Sequence, residues 1–183
     1  MRSSPDPARC QGYVCDLPNS VRACAARLES RSPAETRRLG RRIGRCAEPG
    51  DVICLQGPLG VGKTVLVQGL AAGLGADQRA TSPSFVIVHE YRGAAPLYHV
   101  DLYRIEPDQV GDLALEQYLR GDAVAVVEWA ERLPAQFQSD CLKAEISWGQ
   151  GASERVICLS ATGERSARLL QRAFPPAGAV RES

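Results

Sequence analysis

The stretch DVICLQGPLGVGKTVLVQGL, residues 51–70, consists of a short apolar run, a glycine-rich octamer and a segment with helical periodicity. The octamer GPLGVGKT runs from Gly57 to Thr64. Its glycines let successive backbone N–H groups converge on an anion, while the following helix directs the positive end of its dipole to the same point. This order of strand, glycine loop and helix predicts a phosphate-binding loop.

Two side chains of the octamer separate a nucleotide site from a plain strand-to-helix turn, which needs neither of them. The ammonium of Lys63 is predicted to contact the β- and γ-phosphates, and the Thr64 hydroxyl to ligate Mg²⁺. Of the 22 basic residues only Lys63 and Lys143 are lysines, so chance is a poor explanation for a lysine here, where a compact ammonium fits better than a planar guanidinium. We expect further nucleotide contacts from the loop at Gly57, Leu59, Gly60, Val61 and Gly62.

A P-loop also needs an acidic side chain that holds Mg²⁺ or its water shell, at the C-terminal end of a neighbouring apolar strand. Asp101 follows PLYHV and shares a strand face with His99, whereas Glu128 ends AVAVV. Glu128 is the stronger candidate for this acidic side chain. For both residues the alternative remains that they are ordinary carboxylates at the end of a strand. His99 is predicted to have at most a supporting role. Spacing does not decide whether Trp129 lies in the core, beside the nucleotide or against a partner.

The bulk composition predicts one globular domain with tails. A length of 183 residues suffices for one sizeable core. The formal net charge of +1 does not attract nucleic acid or an anionic membrane, so any RNA contact is local or made through a partner. The seven cysteines include no C-x-x-C pair, which disfavours a disulfide framework and favours a reducing, cytoplasmic compartment. No run reaches the roughly 18 apolar residues of a membrane helix.

The predicted fold class is α/β, a P-loop NTPase fold with a largely parallel central sheet that is extended by antiparallel strands and flanked by helices. Ser32 and Glu35 form a capping box for a helix over about 33–47, whose arginine-rich face is interpreted as a solvated surface rather than an RNA-binding patch. A second helix is predicted over 106–119. The predicted organisation is a disordered extension over 1–30, the ATPase domain over 31–174 and a flexible tail over 175–183.

Apolar runs bounded by turn residues predict the strands. Residues 84–91 and 96–103 are expected to pair as an antiparallel hairpin across the turn RGAA, and residues 142–148 and 154–162 as a second strand pair. The remaining predicted elements are buried strands at 51–56 and 123–128 and a closing helix at 164–174.

Four motifs, taken in order, resemble the TsaE (YjeE) family of small P-loop ATPases. They are GPLGVGKT, SPSF at 82–85, HVDLYR at 99–104 and VEW at 127–129. Bacteria use this family in making threonylcarbamoyladenosine on tRNA. The resemblance implies weak ATP binding, slow Mg²⁺-dependent hydrolysis by the isolated protein and association with the TsaB–TsaD pair, so that tRNA is contacted only indirectly.

The resemblance also implies roles for single residues. Lys63 holds phosphate, Thr64 and Glu128 organise Mg²⁺, and Asp101 assists hydrolysis. Nucleotide contacts are further implied for Pro33 near the adenine, for Ser82 and Ser84 near the γ-phosphate, and for Trp129.

Three positions depart from the family pattern. Ser84 stands where threonine is usual, and Pro58 stands where an acidic residue is frequent, so any role of that carboxylate is absent here. Ala114 replaces a common glycine and is expected to be benign or helpful inside a helix.

Two other functions remain open. A small-molecule kinase would need an acceptor pocket and a lid with catalytic arginines, and no lid-like insertion is evident. A noncatalytic adaptor would sense ATP without hydrolysing it. Recognition of guanine would require an N-K-x-D or T-K-x-D segment. The sequence has neither, so ATP is favoured over GTP as the nucleotide.

Overall fold

The computed structural model describes residues 26–76, 87–106 and 108–175. In this part of the chain seven strands form one sheet in the order β1-β7-β6-β2-β5-β4-β3. The strands are β1 (Ala26–Ser30), β2 (Val52–Gln56), β3 (Val88–Tyr91), β4 (Leu97–Asp101), β5 (Val124–Glu128), β6 (Leu142–Trp148) and β7 (Arg155–Ala161).

The four strands β6, β2, β5 and β4 are mutually parallel. Strand β3 pairs antiparallel with β4, and β7 pairs antiparallel with both β6 and β1. Strands β2 and β5 are apolar at almost every position because both faces of the central sheet are covered. The predicted P-loop class of fold and both predicted hairpins are confirmed.

Two apolar cores lie on opposite faces of the sheet. Side chains alternate along β2, so Ile53 and Leu55 enter the core under α1, α2 and α4, while Val52 and Cys54 enter the core under α3. None of the described helices is long and apolar enough to cross a membrane. The helices are α1 (Pro33–Gly44), α2 (Lys63–Gly73), α3 (Glu116–Leu119) and α4 (Glu164–Ala173), with 3₁₀ segments at Val110–Leu113, Ala130–Arg132 and Ala135–Phe137.

Helix α1 begins as predicted and ends earlier than predicted. The Ser32 hydroxyl accepts from the Glu35 N–H at 3.2 Å, and the Glu35 carboxylate accepts from the backbone of Arg31 at 2.7 Å. At the other end the backbone tightens, and the N–H of Cys46 donates to Ile43 at 2.9 Å. This turn of i to i−3 type ends the helix at Gly44, ahead of the expected residue 47.

Helices α1 and α2 approach each other through four glycines. A Cβ atom added at Gly40 or Gly44 would overlap a backbone carbonyl oxygen of α2, and one added at Gly69 or Gly73 would overlap a carbonyl oxygen of α1. The two backbones are therefore in direct contact. Because α2 begins at Lys63, this contact also fixes the direction in which the phosphate-binding loop leaves the sheet.

Strand β1 corrects the predicted boundary of the N-terminal extension. Residues 26–30 were expected within a disordered stretch over 1–30, but they pair in register with β7, from Ala26 opposite Leu159 to Ser30 opposite Arg155. The sequence ARLES has a weak strand pattern, so the pairing depends on the free edge that β7 offers. The prediction for residues 1–25 lies outside the described residues.

The helix predicted over 106–119 is interrupted. Within residues 108–119 the structure has a 3₁₀ turn, a left-handed residue at Ala114 (φ 46°) and the single turn α3. In one straight helix Leu115 and Leu119 would point about 140° and 180° away from Val110. All three side chains lie in the same core, and the break at Ala114 allows this.

We expect Ala114→Gly to stabilise the protein, which reverses the expectation for an alanine inside a helix. The left-handed conformation costs a non-glycine residue about 1–2 kcal/mol, whereas the extra chain entropy of glycine costs about 0.5–1 kcal/mol. The free energy of unfolding in urea is therefore expected to rise by about 0.5–1 kcal/mol. Ala72→Gly on the exposed side of α2 is the control and should lower it by a similar amount. A loss of stability in Ala114→Gly would contradict this account of the turn.

Candidate functional site

The octamer forms the connection between β2, which ends at Gln56, and α2, which begins at Lys63. Gly57 and Gly62 have φ values of 139° and 111°, which only glycine adopts without strain. A side chain at Gly57 would also overlap the Ile146 carbonyl of β6, while nothing lies within 4 Å of a Cβ placed on Gly62. The loop is packed against the sheet on one side and open on the other, as a phosphate cradle requires.

The Lys63 side chain lies across the loop. Its Nζ donates to the carbonyl oxygens of Gly57 at 2.7 Å and Pro58 at 3.0 Å, and stands 3.7 Å from the ring centre of Trp129. Burial lowers the pKa of the Lys63 ammonium below its ordinary value, and nearby carboxylates, Glu128 foremost, oppose this only in part. The ammonium is held where an anion in the loop would meet it.

Glu128 joins three elements of the site. Its Oε2 accepts from the Thr64 hydroxyl of α2 at 3.1 Å, and its Oε1 lies 2.9 Å from Nε2 of His99 on β4. Asp101 stands directly opposite Glu128 in the register of β4 and β5. The predicted face shared by His99 and Asp101 therefore points at the predicted metal ligands.

A cleft of about 260 Å³ contains most of the predicted site. Leu59 and Tyr103 lie at this cleft with large exposed fractions of 65% and 42%. Pro33 lines neither this cleft nor the one described below, and Ser82 and Ser84 lie outside the described residues. The predicted residues that line the cleft are Leu59, Gly60, Gly62, Lys63, Thr64, Asp101, Glu128 and Trp129.

The oxygen atoms of Thr64 and Glu128 suit Mg²⁺. No group of three or more His, Cys, Asp or Glu side chains within the described ranges is arranged to hold a metal ion. Mg²⁺ ordinarily takes one or two carboxylates and completes its shell with phosphate oxygens and water. A hydroxyl and a carboxylate 3.1 Å apart at the end of a phosphate-binding loop fit that pattern.

A second cleft, of about 470 Å³, lies beside the loop and was not predicted. Trp148, half exposed, lines it, and the guanidinium of Arg155 stacks 4.0 Å from the Trp148 ring centre. Arg155 also donates from Nε to the Val61 carbonyl at 2.7 Å, which connects this cleft to the phosphate-binding loop. Only the register of β6 with β7 brings Trp148 opposite Arg155, so their spacing in sequence carried no signal. Ser30 and Arg31, just before Pro33, belong to the same cleft.

Arg132 was also missed. Its Nη1 donates to the carbonyl oxygens of Leu102, Tyr103 and Ile105 at 3.2, 2.7 and 2.7 Å, and its guanidinium lies 5.7 Å from the Trp129 ring. The residue ties the turn after β5 to the loop after β4. An arginine four residues after Glu128 is unremarkable in sequence, because its partners are backbone atoms of a distant segment.

Comparison with known proteins identifies the family. The family model described as "Threonylcarbamoyl adenosine biosynthesis protein TsaE" matches residues 30–157. The chain belongs to the TsaE family. Its P-loop, its HVDLYR segment and its VEW turn all lie inside the matched region, so the residues gathered in the first cleft belong to the part of the chain that defines the family.

Individual TsaE relatives agree with this assignment. The chain is 42% identical over 135 residues to "tRNA threonylcarbamoyladenosine biosynthesis protein TsaE" of Bacillus subtilis (strain 168), covering 73% of this chain and 84% of the relative. It is 46% identical over 126 residues to the protein of the same name from a Nostoc species, covering 66% and 77%. The crystal structure of Bacillus subtilis YdiB superposes with a TM-score of 0.71 at 35% identity, covering 84% and 97%. The chain is thus a member of a family named for threonylcarbamoyladenosine biosynthesis on tRNA.

Proposed function

We propose that this TsaE-family chain is a cytoplasmic, Mg²⁺-dependent ATPase that supports threonylcarbamoyladenosine formation through the TsaB–TsaD complex and meets tRNA only indirectly. The observation that carries the proposal is the position of Lys63, whose ammonium lies inside the loop 2.7 Å from the Gly57 carbonyl. Beside it, the hydrogen bond of Thr64 to Glu128 brings together the hydroxyl and the carboxylate that we propose as Mg²⁺ ligands.

Each residue has a role that follows from its position. The backbone N–H groups of the loop bind phosphate oxygens, and Lys63 exchanges its carbonyl partners for them. Thr64 and Glu128 would hold Mg²⁺, which supplies charge neutralisation at the phosphate oxygens when bound. Asp101, opposite Glu128 at the end of β4, is placed to orient an attacking water. Trp129 lines the cleft and packs its ring against the Lys63 ammonium.

The second cleft is proposed to receive the adenine. Arg155 lines this cleft and donates to the Val61 carbonyl of the loop, so we expect a nucleotide with its phosphates in the loop to extend its base toward the cleft. Trp148 offers an aromatic face on which a base stacks, in a cleft that Arg31 also lines. In this proposal we expect the base near the start of α1, close to Ser30 and Arg31, which line the cleft, rather than on Pro33 itself.

We expect Trp148→Ala to weaken ATP binding by about tenfold, because stacking of a base on an aromatic side chain contributes about 1–3 kcal/mol. Binding of inorganic triphosphate, which has no base, should change little in the same titration by calorimetry. Trp148→Phe keeps an aromatic face and serves as the control. Equal losses for ATP and triphosphate would place the base elsewhere.

The rim of the first cleft supports a partner-dependent reaction. Leu59 and Tyr103 expose apolar surface beside Lys63 and Glu128, and a protein that covered them would exclude water from the site. We therefore propose that the partner complex covers this rim.

The proposed function is tested by purifying the chain with TsaB and TsaD from the same organism. We expect co-elution that depends on ATP and a partner-stimulated release of phosphate. Failure to associate in any nucleotide state would remove the partner assignment. ATP consumption that required a small hydroxylated acceptor and yielded its phosphate ester would favour a kinase, and stoichiometric ATP binding without phosphate release would favour a nucleotide sensor.

A further inference from the structure

The imidazole of His99 is wholly buried beneath the site. Its Nε2 lies 2.9 Å from Oε1 of Glu128, and the ring of Tyr91 lies roughly parallel to it, with the centroids 6.2 Å apart. Among the residues that the structure describes, Nδ1 of His99 is a buried nitrogen without a hydrogen-bond partner. Burying a polar atom without a partner costs free energy. The hydrogen bond that the ring makes at Nε2 with Glu128 offsets part of this cost.

Counting hydrogens assigns the direction of this contact. An ionised carboxylate only accepts, and Glu128 already accepts from Thr64 at Oε2. We assign the hydrogen between His99 and Oε1 to Nε2, because Nδ1 has no partner to which it could donate. The neutral ring then has a bare lone pair at Nδ1, whereas a hydrogen at Nδ1 would be a buried donor with nowhere to donate. The structure thus favours one tautomer of His99.

We propose that His99 is a positioning residue, whose Nε2–H holds Oε1 of Glu128 so that Oε2 points to Thr64 and to the Mg²⁺ that the two residues would share. The proposal rests on the proposed function. Glu128 is itself 3% exposed and hydrogen-bonded at both oxygens, so its rotamer is set by these two partners. Removing such an outer partner of a metal ligand commonly lowers metal affinity by about 10- to 100-fold.

A purely structural histidine would behave differently. If His99 only filled space between β3 and β5, then a leucine of similar size would preserve every property of the site. If it positions Glu128, only a side chain with a donor near the place of Nε2 suffices. His99→Gln supplies such a donor from its amide, and His99→Leu supplies none.

The test measures ATP binding to the full chain by calorimetry, with excess Mg²⁺ and with EDTA, for the wild type and both variants. We expect His99→Leu to lose about 10- to 100-fold of the affinity gained with Mg²⁺ and to keep its affinity in EDTA. His99→Gln should stay within about threefold of the wild type, a difference of less than 1 kcal/mol. Full Mg²⁺ dependence in His99→Leu, or equal losses in both variants, would overturn the proposal.

A second measurement covers the case in which His99→Leu does not fold. Nitrogen-15 NMR of the wild-type chain reports which ring nitrogen carries the hydrogen, and the chain has only two histidines, so His89→Gln assigns the signals. We expect Nε2 of His99 to be protonated and Nδ1 bare. The opposite tautomer would overturn the proposal, because Nε2 would then have no hydrogen to donate to Glu128. A wild-type chain that binds no nucleotide would instead refute the proposed function, and the NMR result would still decide the orientation of the ring.

Discussion

Replacing Lys63 with alanine is expected to lower the affinity for ATP by about 100-fold or more. Lys63 is a buried residue, and its ammonium is held at the loop by two carbonyl oxygens, so it meets phosphate without first being ordered. Charge-assisted hydrogen bonds contribute about 1.5–3 kcal/mol each, and two of them correspond to at least this loss. The measurements are ATP binding by calorimetry and partner-stimulated phosphate release.

The chain offers a matched control for this prediction. Lys143 on β6 is its only other lysine, and it pairs with Cys54 rather than with the loop. Lys143→Ala removes the same charge and should leave ATP affinity within about twofold. Lys63→Arg should fail like Lys63→Ala, because a planar guanidinium does not fit between the loop carbonyls and the Trp129 ring 3.7 Å away. Unchanged turnover in Lys63→Ala would rule out the phosphate-binding loop.

The second large effect is expected on stability. Gly40→Ala adds one methyl group at a buried position of α1, where its Cβ would overlap the Leu66 carbonyl of α2. Backbone atoms cannot move aside as a flexible side chain can, so the helices must separate. Overpacking of this kind costs about 1–3 kcal/mol or more, and we expect about 3 kcal/mol, with the midpoint of thermal unfolding lowered by roughly 10 °C.

Gly111→Ala is the control, because nothing lies within 4 Å of a Cβ at Gly111. Its free energy of unfolding in urea should change by less than about 0.5 kcal/mol. Because α2 begins at Lys63, the displaced helix in Gly40→Ala should also weaken ATP binding. Wild-type stability in Gly40→Ala would mean that the two backbones are farther apart than the structure shows.

The candidate site divides into a part that could be read from the sequence and a part that could not. The loop, Lys63 and Thr64 are predictable because eight consecutive residues carry all of their geometry. Asp101 and Glu128 are predictable in position, since each ends an apolar strand, and the parallel pairing of β4 with β5 places them side by side. To predict the contact of His99 with Glu128, only the register of the same two strands would be needed in addition.

Other features depend on residues that are distant in sequence. Trp148 meets Arg155 through the register of β6 and β7, and Arg132 binds carbonyl oxygens about 30 positions away. The failed prediction at Ala114 has the same origin, since helical periodicity from 106 to 119 gave way to the need to bury Val110 and Leu115 in one core.

The sequence by itself determined the order of strand, loop and helix around the octamer and the α/β class of fold, because turn chemistry and the periodicity of apolar residues are properties of single segments. Tertiary structure alone decided that Ala26–Ser30 becomes an edge strand, that four glycines bring α1 and α2 into backbone contact, and that a second cleft opens beside the loop. These features depend on which surfaces meet, and the free energy of such contacts is not present in any one segment of the chain.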